Sequence, residues 1–418
     1  MTISPHQLTA SGQPVDVRGG DPRDAIDGVV PVLVVEPQTP AAVAASLAWA
    51  SANRLAVLIQ GAGTKRAWGR RPDRLDVIIS MRTLDRVLNH RPGDLTVSVQ
   101  AGASLRDLNE ALGAHGQSLP LDPPSGSGAT IGGLLATNES GPARHRFGTP
   151  RDLVIGVQLA TVDGRLANAG GQVVKNVAGY DLSKLVCGSF GALAAIVSAT
   201  FKLAPVPAAS RTLVIDTSGP ELLTRAAGAI AASQLEPLAF ECRARRTPSG
   251  RDNLLQCLVR FASVAAAVDA QAAEAMRLLA AAGATGGMLT GDQEAALWRA
   301  HTGMAGDDPA AAVVRLSWLP ADLGRVVSLV EELGTALDVD LRGRAAVGAG
   351  LMRLAGDRRQ QVRAIERLRA SNAVGNVVVA SASTELKAQI DVWGPGATSK
   401  VLDALKSAVD PTATLVSR

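Results

Sequence analysis

At 418 residues and 47% hydrophobic composition, the chain exceeds one ordinary core and suits two domains, with a third lobe if one is subdivided. A formal net charge of +4, with both signs interspersed, makes no basic stripe, and a single Tyr with five Trp builds no base-stacking platform, so nucleic acid is not an expected partner. The widely spaced Cys187, Cys242 and Cys257 argue against a disulfide framework and against a Cys-x-x-Cys metal or iron–sulfur site, which places any such cluster on another chain.

The opening MTISPHQLTASGQPVD has no basic region followed by an apolar stretch, so no secretory signal is expected and the cytoplasm is the default compartment. Val32 to Val35 reads as a strand, and Thr39-Pro40 then caps an Ala-rich helix to Asn53. A strand at Ala56 to Ile59 runs into a glycine-rich loop; further strands follow at Val77 to Ser80 and Thr96 to Gln100, and Ser104 opens another helix. From Ser118 to Pro150, Pro, Gly, Ser, Thr and Asn dominate, and an irregular stretch of that length is usually functional. Val154 to Thr161 with the Asp163-Gly164 turn predicts a hairpin. Leu185 to Phe201 is the most bilayer-like run, but Gly188 and Gly191 interrupt it and no membrane insertion is expected.

Ile196 to Leu203 is a last strand before Ala204-Pro205-Val206-Pro207, which marks a domain boundary. Beyond it, strands near Leu213 to Ile215, Leu254 to Phe261, Val313 to Trp318 and Gln389 to Trp393, with helices such as Val264 to Ala281, predict an α+β lobe with helices on one face of a mostly antiparallel sheet.

Three loops carry the chemistry. Gln60-Gly61-Ala62-Gly63-Thr64-Lys65-Arg66 allows successive backbone N–H groups to converge on a phosphate, or is an ordinary glycine turn; it is neither a Rossmann fingerprint nor a Walker A loop. Ser125 to Gly133 runs into a helix start at Ile131, where free N–H groups and a positive dipole end favour an anion. Lys175-Asn176-Val177-Ala178-Gly179-Tyr180-Asp181-Leu182 is the third, equally readable as a capped helix start with Tyr180 packed at a lobe interface.

In order, these loops, the Ala101-Gly102 step, Asn138 to Gly141 and Arg146-Phe147-Gly148 with Arg151-Asp152-Leu153 resemble the PCMH-type FAD-binding domain of the vanillyl-alcohol-oxidase flavoproteins, strongly over residues 30–205. The Lys175 to Leu182 wording is most similar to the FAD-binding subunits of bacterial glycolate oxidases. The resemblance implies an α+β chain: a two-lobed FAD-binding domain over residues 1–205, split near 85–95, a smaller α+β cap domain over 206–395, and a C-terminal helix and tail over 396–418. It implies noncovalent FAD, since no histidine stands in the first loop, with the diphosphate on the backbone of Gly61, Ala62, Gly63, Thr64 and Lys65 and of Gly132 and Gly133. Gly102 and Thr130 belong to the same motifs, Asn138, Ser140 and Gly141 would follow the ribityl and isoalloxazine portion, and Ile196 would meet the flavin through its backbone.

The chain also departs from that pattern. Hydroxy-acid-oxidising relatives carry Gly-Ser-Glu-Gly-Thr-Leu-Gly where this chain has Phe190 for the acid, and His-x-Gly-x-Gly-Asn-x-His where it runs from Arg344 to Arg353 without histidine. Arg344 and Arg353 could bind a carboxylate, but solvated surface arginines are the preferred reading, and His145 reads as a surface or hydrogen-bonding residue. No metal site and no catalytic residue is assigned. The expected function is therefore an FAD-binding subunit relaying electrons between a catalytic flavin subunit and an iron–sulfur subunit of a 2-hydroxy acid oxidoreductase, with membrane association only through a partner. The alternatives are a self-sufficient FAD-dependent dehydrogenase and a scaffold that has lost FAD.

Overall fold

The computed structural model describes residues 12–171, 180–303, 308–394 and 400–417. Near the N-terminus, Val15–Gly19, Leu33–Pro37, Val77–Ser80 and Val57–Gln60 form, in that order, a four-stranded sheet whose last three strands are parallel. Helix Pro40–Ala52 starts where Thr39 Oγ1 accepts from the Ala42 N–H at 3.1 Å and Pro40 supplies a preset first turn. It is apolar almost all round because it lies between two sheets, with Val43 and Leu47 sharing a core with Val35 and Val77 on one side and Ala160 and Val197 on the other.

The second sheet is antiparallel, in the order Val87–Arg91, Thr96–Gln100, Ala195–Lys202, Val154–Ala160, Leu166–Gly170. Helices Leu105–Gly113 and Ile131–Thr137 share its core through Leu105, Leu108, Leu112, Leu134 and Leu135. Within the run that read as most bilayer-like, Leu182–Val186 is a short helix and Ala195–Lys202 a strand; no helix of the described residues is long and apolar enough to cross a membrane.

The second lobe is one eight-stranded antiparallel sheet, ordered Gly286–Leu289, Ala209–Asp216, Leu254–Ser263, Ala239–Arg246, Asp338–Arg344, Ala349–Ala355, Ala312–Ser317, Asn376–Ser381. Helices Pro220–Ala231, Ala265–Ala281, Leu323–Leu333 and Arg358–Arg369 cover its apolar face. The expectation that all helices share one face is corrected: Gly291–Thr302 packs Trp298 on the opposite face, against Ala239 and Leu258, and Trp298 Nε1 donates to Thr212 Oγ1 at 2.8 Å. The strand expected at Gln389 to Trp393 is also corrected. Its alternating apolar residues imitate a strand, but the Asp391 carboxylate accepts the Trp393 N–H at 3.1 Å and Gly394 turns at φ +85°, so the edge strand is Asn376–Ser381.

The tail rejoins the first lobe. After helix Lys400–Val409, the fully buried Asp410 carboxylate accepts the Thr414 and Leu415 N–H groups at 2.9 and 2.8 Å, and Leu415 enters the core beside Val57. Between the lobes, Lys387 Nζ pairs with both Asp27 oxygens at 2.9 Å and donates to the Ala67 carbonyl at 2.6 Å.

Candidate functional site

The parallel strand Val57–Gln60 delivers the first loop to the carboxyl end of its sheet. Among the described residues, the N–H groups of Gly61, Ala62, Gly63, Thr64 and Lys65 donate to nothing in the chain. Gly63 is left-handed at φ +76°, and a Cβ on Gly61 would fall 2.0 Å from Thr130 Oγ1, so glycine lets this loop meet the start of the second. There Thr130 caps helix Ile131–Thr137, accepting the Gly133 N–H at 3.4 Å. The Gly132 N–H is already given to the Ala101 carbonyl at 2.8 Å, so this glycine provides room and not a donor.

A buried ion pair ties the two loops together. Lys65 Nζ lies 2.7 Å from Glu139 Oε2, and Glu139 also accepts from the Ser125 N–H at 2.8 Å and Oγ at 2.6 Å. Asn138 ends the helix in the left-handed region at φ 47°, its side chain accepting the Arg151 N–H at 3.2 Å.

Three cavities line up along the helix. One of about 60 Å³ touches Gly61, Thr130, Gly132, Gly133 and Ile196; the next, about 100 Å³, touches Gly61 to Arg66 and Thr137. The largest, about 320 Å³, continues from Thr137 past Asn138, Glu139 and Ser140 to Gly188 and the second lobe. Phe190 lines both smaller cavities at φ 55°, its ring edge-on to Trp393 with centroids 5.0 Å apart. A bulge after Ile196 shifts the register against Val154–Ala160 where that strand reaches the groove. Gly102 and Gly141 lie off the groove, packed against the backbone of Met81 and Asp122. Lys175 to Gly179 of the third loop lie outside the described residues, and Tyr180, which one of the two readings of that loop packed at a lobe interface, is 93% exposed.

The outer face of the eight-stranded sheet supplies the far wall. Alternation puts Val339 and Leu341 into the core and sends Asp338, Asp340, Arg342 and Arg344 to the other side, opposite Glu241, Arg243 and Arg245. Arg344, read from the sequence as solvated, is buried: its Nε lies 3.1 Å from Glu241 Oε1, and Glu241 Oε2 lies 2.9 Å from His301 Nε2 on helix Gly291–Thr302. Burial holds His301 below its ordinary pKa, so the neutral ring donates from Nε2 to the carboxylate. Arg353 pairs with Asp308 at 3.2 Å and Asp338 at 3.5 Å and is also not simply solvated. Arg315 and, from the first lobe, Arg144 reach the same large cavity as Arg344, and burial lowers the pKa of both.

His145 is half-buried with its ring edge-on to Phe240, and burial lowers its pKa. Burial pushes the Cys187 and Cys242 thiols up to about 12, which leaves them unreactive near neutrality.

This chain matches the FAD binding domain family over residues 31–170. Its cofactor is FAD. Over 195 residues, 45% of this chain and 53% of the relative, it is 36% identical to the glycolate oxidase subunit GlcE of Escherichia coli (strain K12). Over 212 residues, 51% of this chain and 45% of the relative, it is 29% identical to the glycolate oxidase subunit GlcD of Bacillus subtilis (strain 168). The chain thus spans about half the length of these relatives. The fold is shared along the whole chain with the BBE-like 1 protein of Physcomitrella patens, at a TM-score of 0.68 and 14% identity over 100% of this chain and 98% of that one.

Proposed function

We propose that this chain is the FAD-holding subunit of a multi-subunit 2-hydroxy acid oxidoreductase of the glycolate oxidase type, passing electrons between a catalytic flavin subunit and an iron–sulfur subunit. The observation that carries the FAD assignment is that, among the described residues, the N–H groups from Gly61 to Lys65 have no acceptor in the chain and that these residues line a groove with Thr130 and Gly133. An anion completes such a nest, and intact nests argue against a scaffold that has lost its cofactor. In this reading Gly61 to Lys65 hold the diphosphate, with Gly132 and Gly133 giving it clearance. Thr130 shapes the turn, Asn138 and Ser140 follow the ribityl and ring portion, and Ile196 meets the ring through its backbone. Gly102 and Gly141 keep the surrounding turns compact. When bound, FAD supplies an acceptor for two electrons.

The large cavity offers no base to a hydroxy acid. Among the described residues no histidine lines it, and its carboxylate, Glu139, is held by Lys65 and Ser125. Oxidising the acid requires a group that takes the hydroxyl proton, so that step falls to a partner chain. A self-sufficient dehydrogenase is the second reading, favoured by the arginines in the cavity. Turnover of glycolate with an artificial acceptor separates the two: activity only after co-purification with a flavin and an iron–sulfur subunit supports the relay, whereas full activity of the single chain supports the second.

A further inference from the structure

One bulky side chain stands at the phosphate groove on a strained backbone. We propose that this residue, Phe190, and Trp393 form an aromatic lock through which the second lobe holds FAD in place, an inference that rests on the FAD-holding reading of the groove. Phe190 lies in the left-handed region at φ 55°, between Gly188 at 81° and Gly191 at 74°. A side chain there costs free energy, and such strain persists where neighbours or a ligand clamp fix it. The neighbours are two carbonyls in the last turn of helix Ile131–Thr137: Leu135 accepts the Gly188 N–H at 2.9 Å and Ala136 the Phe190 N–H at 2.8 Å. Phe190 so held stands in the wall that the two smaller cavities share, with Ile59, Gly61, Thr130, Gly133 and Ala136.

The ring is held from the other lobe. Trp393 meets it edge-on with centroids 5.0 Å apart, a geometry that aromatic pairs favour. Trp393 packs against the core under the eight-stranded sheet, and its turn is fixed from both lobes. The Asp391 carboxylate accepts the Trp393 N–H at 3.1 Å and pairs with Arg70 of the first lobe at 2.7 Å, while the Asp391 carbonyl accepts from Arg369 at 2.6 Å. Two residues beyond Phe190, Lys406 Nζ of the terminal helix donates to the Ala192 carbonyl at 2.8 Å. A cofactor in the groove therefore lies against a ring that turns away only when Trp393 releases it, so the second lobe must part from this loop before FAD leaves. Neither aromatic residue lines the large cavity, so the lock acts on retention of the cofactor and not on an acid beside it.

The test follows release of flavin from the purified full-length chain loaded with FAD, read as the rise in flavin fluorescence after dilution, beside FAD titration and urea unfolding midpoints. Trp393→Ala should release FAD about tenfold faster and Trp393→Phe should restore the wild-type rate, as loss and return of one aromatic contact do. Phe190→Gly should weaken FAD by about tenfold with no fall in the urea midpoint, because glycine takes the left-handed backbone without strain. A merely structural ring would give the reverse, a lower midpoint with unchanged flavin release. The wild-type release rate in folded Trp393→Ala overturns the lock. Should that variant fail to fold, Phe190→Gly decides, and wild-type affinity there overturns the lock as well. Wild-type protein that takes up no FAD overturns the FAD-holding reading and the lock together, whereas yellow wild-type protein with unaltered variants overturns the lock alone.

Discussion

The ion pair of Lys65 with Glu139 shows how single residues hold the groove in shape. Side chains 9% and 3% exposed leave little water to screen either charge. Glu139→Ala should therefore cost about 3–5 kcal/mol in urea unfolding, as breaking a buried pair does, while Lys65→Met with Glu139→Leu should recover much of it. Asp122 makes a pH-dependent contribution of opposite kind. Burial pushes its carboxyl up to about 7 from an ordinary 3.8, although Oδ2 accepts the Ala143 N–H at 2.9 Å. The folded chain then keeps a proton that the unfolded chain releases, so this group's contribution to stability declines as pH rises from 3.8 to about 7. Asp122→Asn should be relatively more stable at pH 8 than at pH 5, read from urea midpoints. The glycines of the first loop were legible because their chemistry is local. Glu139, between two residues that the sequence singles out, was not, because a carboxylate beside this glycine loop makes sense only once its distant lysine is in view.

Alternation along the strands decided which arginines face the cavity. The polar run Glu241, Arg243, Arg245 and the run Asp338, Asp340, Arg342, Arg344 follow strand period, but neither strand was among those expected from the sequence, and a polar sheet face ordinarily meets water. Here it meets the other lobe and helix Gly291–Thr302, which no local pattern announces. The hairpin at Asp163-Gly164 and the capped helix after Thr39 were legible for the converse reason, since turn and cap chemistry is decided within a few residues. His301 gives this helix an acid-side signature. Its folded pKa lies below the unfolded 6.5, so the unfolded chain takes up a proton first and stability is lost as pH falls from 6.5 toward the folded value. His301→Gln should reduce that loss, measured by comparing unfolding temperatures at pH 7 and pH 5.

Across the whole molecule, a two-lobed FAD domain followed by a cap was legible from the order of its loops, but the latch between domains was not. Lys387, 2% exposed at its side chain, links Asp27 and Ala67 of the first lobe to the far edge of the eight-stranded sheet, near where the Gly69 N–H meets the Ala380 carbonyl at 3.2 Å. Lys387→Met should cost about 3–5 kcal/mol of unfolding free energy. It should also speed proteolytic release of the second lobe, visible on a gel.

The central claim is that this chain holds FAD and leaves oxidation of the acid to a partner. Its most direct measurement is the visible spectrum of the purified single chain before and after anaerobic addition of glycolate or lactate. A flavin band that persists undiminished is the predicted result; protein that stays colourless with added FAD, or a band that bleaches on adding the acid, would contradict the account.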